Sequence, residues 1–288
     1  MKMDQKEKKY YAVIGYPVGH SLSPAMQNAA FEQCGLDGEY TAIEVAPENV
    51  GAFAAKARTS LAGFNITVPH KNAIIPFLDE VEFLAALQGS VNTVINRNGF
   101  LSGTSTDGYG LEAALKESFS FEIKNNSVTF IGCGGVVKAL AFHFASCGVK
   151  KIFLLNRTLS TAQTLCDAVC KEFPSVECAC APLSDHKTAQ DFFQESALAV
   201  QCTSLGLKKE DPSPIPPELL PGDILFFDTI YKKTPLLQYA EANRIKCANG
   251  LGMLLHQGAK SFSLWTGLQA PVEAMRKALY EAFYKANQ

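Results

Sequence analysis

Three kinds of residue in this chain have types and spacing that suit chemistry on a small ligand. The first is a glycine cluster. Gly132, Gly134 and Gly135 follow the apolar run Val128 to Ile131 and precede the helix-compatible run Val136 to Cys147. Glycine lacks Cβ, so the chain can turn tightly there and its N–H groups can approach a pyrophosphate. The helix N-terminus behind the turn adds partial positive charge. The last glycine of the usual G-x-G-x-x-G spacing is Val137 here, so the turn draws its weight from its place between a strand and a helix. The second is Arg157, in Asn156-Arg157-Thr158 at the end of the next apolar run, Ile152 to Leu155. An NAD-binding turn ordinarily carries an acid there for the ribose hydroxyls. A guanidinium instead suits a 2′-phosphate through charge-assisted hydrogen bonds, so the expected cofactor is NADP. The bland alternatives are a ligand-free turn and a solvated arginine.

The third kind is a set of polar groups at strand ends and helix starts. In Ser21-Leu22-Ser23-Pro24, Pro24 fits a first helical turn with Ser23 as its N-cap. Ser21 has no such task in the preceding loop, and the two hydroxyls suit a small polyhydroxylated or carboxylate ligand. In Asn65-Ile66-Thr67-Val68-Pro69-His70-Lys71, alternation puts Asn65 and Thr67 on one strand face. Pro69 starts the next helix, and Lys71 falls in its first turn, where the helix dipole disfavours a cation. That anomaly marks Lys71 for function, against the alternative of a solvated surface lysine. Asp107 precedes a helix from Tyr109 to Phe119, and capping would explain it structurally. Thr203 follows the apolar run Leu198 to Gln201, at a strand end where open α/β sheets bind ligands.

The elements that must position these groups alternate along the chain. Strands are expected at Tyr10–Ile14, Tyr40–Val45, Phe64–Val68, Ser90–Ile95, Val128–Ile131, Ile152–Leu155, Val176–Ala179, Leu198–Gln201, Ile224–Phe227 and Ile245–Ala248. Asn98-Gly99 signals a hairpin. Helices are expected between them, among them Pro47–Ser60, Ser160–Phe173, a short piece at Ala189–Phe193, and Thr234-Pro235 to Asn243. A helix from Asn249 runs through Gln257 to about Trp265, and a last one from Pro271 carries Val272, Met275, Leu279 and Phe283 on one face. The expected class is therefore α/β with parallel sheets, in two domains. Residues 108-248 form a Rossmann-like, doubly wound NADP-binding domain. Residues 1-107 and 249-288 form a discontinuous α/β substrate-binding and catalytic domain completed by the C-terminal helices, with a substrate cleft between the two.

Composition narrows the class. The chain has 288 residues, 47% of them hydrophobic and 19% charged, with a formal net charge of −2. A large core is expected, and no nucleic-acid surface. Met1 to Lys9 is charged and lacks an apolar signal region. No run reaches the roughly 18 apolar residues of a membrane helix, so the expectation is a cytoplasmic protein without membrane partners. The nine cysteines include Cys166 and Cys170 on one helix face and Cys178 and Cys180 on one strand face. Neither pair has zinc-knuckle spacing, and the histidines are dispersed, so buried free thiols and no metal site are expected.

Taken in order, these motifs resemble the shikimate dehydrogenase family over nearly the whole chain. The matching stretches are Gly15-Tyr16-Pro17 with Ser21 to Pro24, Asn65 to Lys71, Val91-Asn92-Thr93, Thr106-Asp107-Gly108, Gly132 to Gly135, Asn156 to Thr158, and Asn249 to Met253 with Gln257. The resemblance implies NADP-linked, reversible reduction of 3-dehydroshikimate to shikimate in aromatic amino-acid biosynthesis, by a monomer or homodimer. It implies Lys71 and Asp107 as the catalytic pair, and Ser21, Ser23, Thr67, Asn92, Tyr231 and Gln257 as holders of the substrate's carboxylate and hydroxyls. Gly132, Cys133, Gly134, Gly135, Val136, Asn156, Arg157, Thr158, Thr203, Thr229 and Gly250 would contact NADP, with Met253 near the nicotinamide. The chemistry suits the pair: hydride arrival places charge on the ketone oxygen, which a lysine ammonium stabilises and protonates.

The chain departs from the family pattern at three points. Ser160-Thr161 stand where relatives often have a second basic residue, Gln201-Cys202-Thr203 replaces Asn-Ala-Thr, and Cys133 replaces alanine. Two readings stand beside the leading one: a quinate/shikimate dehydrogenase with relaxed NAD/NADP use, to which the first departure points, and a ligand-sensing protein of the same fold that has lost catalysis. Retention of Lys71 and Asp107 speaks against the second.

Overall fold

Apolar runs become strands because they can be buried on both faces while the ladder satisfies their backbone groups. The computed structural model describes residues 8–208 and 210–286; most of the charged start, residues 1–7, lies outside them. The chain divides into two units, Met1–Gly110 with Leu254–Gln288, and Leu111–Met253.

The first unit is built from β1 (Lys9–Gly15), α1 (Ser23–Gln33), β2 (Gly38–Glu44), α2 (Val50–Ser60), β3 (Gly63–Ile66), α3 (His70–Ala73), β4 (Glu80–Val81), α4 (Phe83–Gln88), β5 (Thr93–Arg97) and β6 (Phe100–Thr104). Its sheet has the order β2-β1-β3-β5-β6-β4. β1 runs parallel to β2 and β3, but β5 is antiparallel to both β3 and β6. The expectation of purely parallel sheets fails here. Asn98 and Gly99 take φ of 56° and 91°, the reversal that an Asn-Gly hairpin favours, and the segment between β3 and β5 returns the chain against β3.

Two local expectations also change. Helix α1 starts at Ser23, with Leu22 at the cap position and no side-chain cap, while Pro24 keeps its place in the first turn. Ser23 is thus the first helical residue and not the N-cap. Ser21 takes up a local task instead, its Oγ accepting the Ser23 N–H at 3.3 Å. Pro69 stands at the cap position of α3, not inside it.

The second unit contains most of α5 (Asp107–Phe119), then β7 (Ser127–Ile131), α6 (Gly135–Ser146), β8 (Lys151–Asn156), α7 (Leu159–Glu172), β9 (Glu177–Pro182), α8 (His186–Glu195), β10 (Leu198–Gln201), β11 (Leu225–Asp228), α9 (Pro235–Ala242) and β12 (Cys247–Ala248). This sheet is wholly parallel, with the order β12-β11-β10-β7-β8-β9. The chain winds outward from β7 to β9, then returns to the other side of β7 at β10. That reversal is the doubly wound switch point, the place where such sheets bind nucleotides. Helix α8 starts three residues before its expected start at Ala189, because Asp185 caps it by accepting the Thr188 N–H at 3.1 Å.

Two further helices, α10 (Leu251–Thr266) and α11 (Val272–Ala286), end the chain. Helix α11 buries Met275 and Leu279 and packs on α1. From α10, the Trp265 indole donates to the Val94 carbonyl at 2.9 Å and lies against Tyr11 and Tyr40, with ring centroids 5.1 and 6.0 Å away. Gly63 permits this approach, since a Cβ there would stand 2.3 Å from the indole nitrogen. Among the described residues, no helix is long and apolar enough to cross a membrane.

Candidate active site

Lys71 projects from α3, and its ammonium lies 2.6 Å from Oδ2 of Asp107, the first residue of α5. The pair is 36 residues apart in sequence. Local structure explains how the sequence brings them together. The Val91 N–H donates to the Lys71 carbonyl at 2.9 Å, which ties α3 to the approach of β5, and Asn92 follows at once. The Asn92 amide nitrogen donates to Asp107 Oδ1 at 2.7 Å and to Thr106 Oγ1 at 3.0 Å, and lies 3.3 Å from Gln257 Oε1. Its oxygen accepts the Thr106 backbone N–H at 2.8 Å. A backbone N–H can only donate, so this contact fixes which way the amide points. Both carboxylate oxygens of Asp107 are therefore held by side chains. Asp107 has 7% of its side chain exposed against 27% for Lys71, so the lysine is the more open member of the pair.

A buried polar belt supports Asn92. Thr93 Oγ1 donates to the Asn92 amide oxygen at 2.8 Å and lies 2.8 Å from Ser261 Oγ. Asn65 donates to Thr93 Oγ1, Ser261 Oγ and the Asn92 carbonyl, each at 3.0 Å. The Tyr40 hydroxyl donates to Asn65 Oδ1 at 2.7 Å. Burial holds this phenol well above its ordinary range, while the Ser23 hydroxyl beside it acts the other way, so Tyr40 stays a neutral donor. Ser261 and Gln257 lie one turn apart on α10, the Ser261 hydroxyl donating to the Gln257 carbonyl at 3.0 Å. A belt with its polar atoms paired is rigid, because breaking any member strands a buried partner.

Of the sequence-marked substrate residues, Ser21, Ser23, Thr67, Asn92 and Gln257 belong to the first unit and Tyr231 to the second. Asn92 and Gln257 join the Lys71–Asp107 cluster directly. Ser23 reaches it through Tyr40 and Asn65. Thr67 lies just past β3, its backbone N–H donating to the Ile14 carbonyl at 2.8 Å. Tyr231 follows β11, and its carbonyl accepts from Asn249 at 3.1 Å. Asp107 is the first residue of α5 and half of an ion pair, where its position had suggested a helix cap.

The cofactor-marked residues collect in the second unit at the C-terminal ends of β7, β8, β10, β11 and β12. Gly132 takes φ of +101°, and a Cβ there would stand 2.9 Å from the Thr203 methyl. Glycine is required at that position because the ends of β7 and β10 approach closely. A Cβ on Gly134 or Gly135 would meet nothing within 4 Å, so open space lies beside the turn that leads to the first N–H groups of α6. Those groups lack intrahelical acceptors and, with the helix dipole, form a ready anion site. The Asn156 side chain accepts the Cys133 N–H at 3.2 Å and donates to the Thr158 carbonyl at 2.9 Å, pinning the turn to the end of β8. Burial pushes the Cys133 thiol up to about 12, so it lines the turn as a neutral group. Arg157 is exposed and has no ion-pair partner among the described residues. This donor set fits a dinucleotide carrying a 2′-phosphate.

The remaining loops are built tightly. The Thr229 hydroxyl donates to the Gln201 carbonyl at 2.9 Å. A Cβ on Gly250 would stand 2.2 Å from the Thr229 carbonyl oxygen. Met253 is buried, 8% exposed. The fully buried Gln201 amide bonds the Thr203 N–H and donates to the Leu205 carbonyl at 3.1 Å. Sequence reasoning noted Gln201 only as a departure from a pattern, yet it shapes the Thr203 loop. It also missed the roles of Tyr40, Asn65, Thr93, Thr106 and Ser261. Asn65 between apolar neighbours, and Ser261 one helical turn after Gln257, were the available signals.

Comparison with known proteins finds matches along most of the chain. Residues 13–94 match the family model of the shikimate dehydrogenase substrate binding domain, residues 113–204 that of shikimate / quinate 5-dehydrogenase, and residues 250–280 that of the shikimate 5′-dehydrogenase C-terminal domain. A shikimate dehydrogenase (NADP(+)) of Alkaliphilus metalliredigens is 39% identical over 272 residues, covering 93% of this chain and 94% of its own. The structure of a Listeria monocytogenes shikimate 5-dehydrogenase in complex with shikimate and NAD superposes with a TM-score of 0.90 at 33% identity, covering 97% of this chain and 99% of that one. A Thermus thermophilus shikimate 5-dehydrogenase in complex with NADP(H) and shikimate gives 0.84 at 34% identity, covering 95% and 99%. The chain belongs to the shikimate dehydrogenase family.

Proposed function

We propose that this chain is an oxidoreductase that reversibly reduces 3-dehydroshikimate to shikimate with NADPH, as a step of aromatic amino-acid biosynthesis in the cytoplasm. The observation that carries the reading is the Lys71 ammonium held 2.6 Å from a nearly buried Asp107 carboxylate. NADPH, when bound, supplies the hydride to the carbonyl carbon. Lys71 then offsets the charge gathering on the carbonyl oxygen and donates the proton that completes the alcohol. In the reverse direction Lys71 takes that proton back. Asp107, fixed by Asn92, orients the ammonium and accepts a hydrogen bond from the substrate hydroxyl.

Ser21, Ser23, Thr67, Asn92, Tyr231 and Gln257 hold the carboxylate and ring hydroxyls. Gly132, Cys133, Gly134, Gly135 and Val136 cradle the pyrophosphate. Asn156, Arg157 and Thr158 take the adenosine ribose and its 2′-phosphate. Thr203, Thr229, Gly250 and Met253 line the nicotinamide end. One observation favours the cofactor half of a second reading, a quinate/shikimate dehydrogenase with relaxed use of NAD: Arg157 is exposed, and Ser160 and Thr161 supply no second cation in the first turn of α7.

A four-way assay separates these readings, using shikimate or quinate with NADP or NAD and following the absorbance of the reduced nicotinamide. Rapid reduction confined to shikimate with NADP is the expected result. Comparable rates with NAD or quinate would establish the second reading. Binding without turnover in every combination would leave a sensor.

A further inference from the structure

Away from the residues assigned above, three metal-ligating side chains of different chemistry converge in the second unit. Glu112 comes from α5; His143 and Cys147 come from α6 and its C-terminal cap, four residues apart and so on one helix face. His143 Nε2 lies 2.8 Å from Glu112 Oε2, Cys147 Sγ lies 3.6 Å from His143 Nε2, and Cys147 Sγ lies 3.9 Å from Glu112 Oε2. A tetrahedral zinc ion with ordinary bond lengths sets its ligand atoms about 3.3 Å apart for nitrogen and oxygen, and about 3.5 Å apart where sulfur is one of the pair. The three atoms need shifts of only about half an ångström to match.

We infer that Glu112, His143 and Cys147 form a binding site for a zinc-class divalent cation that clamps α5 to α6. One carboxylate and one thiolate balance the two positive charges, so a half-buried ion is neutralised without further groups. Nitrogen and sulfur ligands select zinc or cobalt over magnesium and calcium, which require mostly oxygen. All three residues are partly exposed, so an ion can enter from solvent and a water can take the fourth vertex. On binding, Cys147 ligates as thiolate and releases its proton to solvent. The nearby cation Lys116, one turn along α5 from Glu112, has its ammonium 2.8 Å from Glu122, which draws it to another acid. Motif spacing hid the site and led to the expectation of no metal, because the glutamate and the His-Cys pair come from different helices.

The test is titration of the purified full chain with Co(II) chloride, followed by displacement with Zn(II) chloride. The expected result is one-to-one uptake, with a sulfur-to-cobalt charge-transfer band and strong tetrahedral visible bands that zinc erases. At about a hundredfold excess of zinc over its Kd, Tm rises by roughly 5–10 °C. Cys147→Ser removes the charge-transfer band, and Glu112→Gln or His143→Gln weakens uptake at least about tenfold. Circular dichroism checks that each variant is folded, and the three separate variants keep the test decisive should one fail to fold. Absence of uptake by the parent chain would overturn the inference. So would bands that persist in Cys147→Ser, since the ion would then sit on other thiols, such as Cys166 and Cys178.

Discussion

Replacing Lys71 by methionine keeps most of the side chain's volume and removes its charge. The expected loss follows from the pair's surroundings. The ammonium is 2.6 Å from Asp107 Oδ2, and the only other side chain on that carboxylate among the described residues is Asn92, at 2.7 Å. A positioned acid that also offsets developing charge contributes about 10²–10⁴ in rate. Turnover should therefore fall about 10³-fold, or ~4 kcal/mol in the barrier, while KM for shikimate stays within about threefold. A second effect needs separating. Breaking a fully buried ion pair costs ~3–5 kcal/mol, but Lys71 is 27% exposed, so water can soften the loss to ~1–3 kcal/mol. Adding Asp107→Asn removes the stranded charge. The double variant should regain stability in urea melts without regaining turnover in the nicotinamide absorbance assay. Turnover within about tenfold of the parent in Lys71→Met, or its recovery in the double variant, would refute the chemical role and leave Lys71 as a counter-ion.

Three further outcomes follow from other parts of the structure. Arg157→Ala should raise KM for NADP about 10–100-fold, the value of one charge-assisted contact, and leave NAD unchanged; equal losses for both cofactors would remove the 2′-phosphate role. Gly250→Ala places a Cβ 2.2 Å from a backbone oxygen, so it should lower Tm and cost ~1–3 kcal/mol; a parent-like melt would show that the β11 and β12 ends yield freely. Burial pushes the Asp228 carboxyl up to about 6 from 3.8, so between pH 4 and 6 the folded chain keeps a proton that the unfolded chain has released. That contribution is present at low pH and is lost as pH rises through about 6, up to ~3 kcal/mol. The stability difference between the parent and Asp228→Asn, measured by urea melts from pH 4 to 7, should therefore favour the parent most at the acid end. A flat difference would contradict it.

What the sequence made legible was whatever local physics decides. The glycine turn, the buried strands around it and the Asn98-Gly99 hairpin each depend on a few adjacent residues. The antiparallel course of β5 was not legible, because strand direction is set by where a connection returns and not by the strand's own residues. Ser23 looked like a cap since Pro24 follows it, yet the chain entered the helix one residue earlier. The polar belt through Tyr40, Asn65, Thr93 and Ser261 joins three strands and a helix, so no window of sequence contains it. Lys71 stood out only as a cation in an unfavourable place. Its partner, Asp107, had a sufficient local explanation as a cap, and so the pairing came from the family resemblance and the contact from the fold.

Trp265 is the chain's single tryptophan, and its indole is fastened to the Val94 carbonyl in the first unit. Light absorbed only by indole therefore addresses one of the two units, and emission during unfolding follows the loosening of α10 from β5. Far-UV ellipticity weighs the helices of both units together. Overlaid in urea, the two signals form an internal comparison that needs no label. Coincident curves mean that the halves melt as one cooperative block, and an early or late fluorescence change gives each half its own stability.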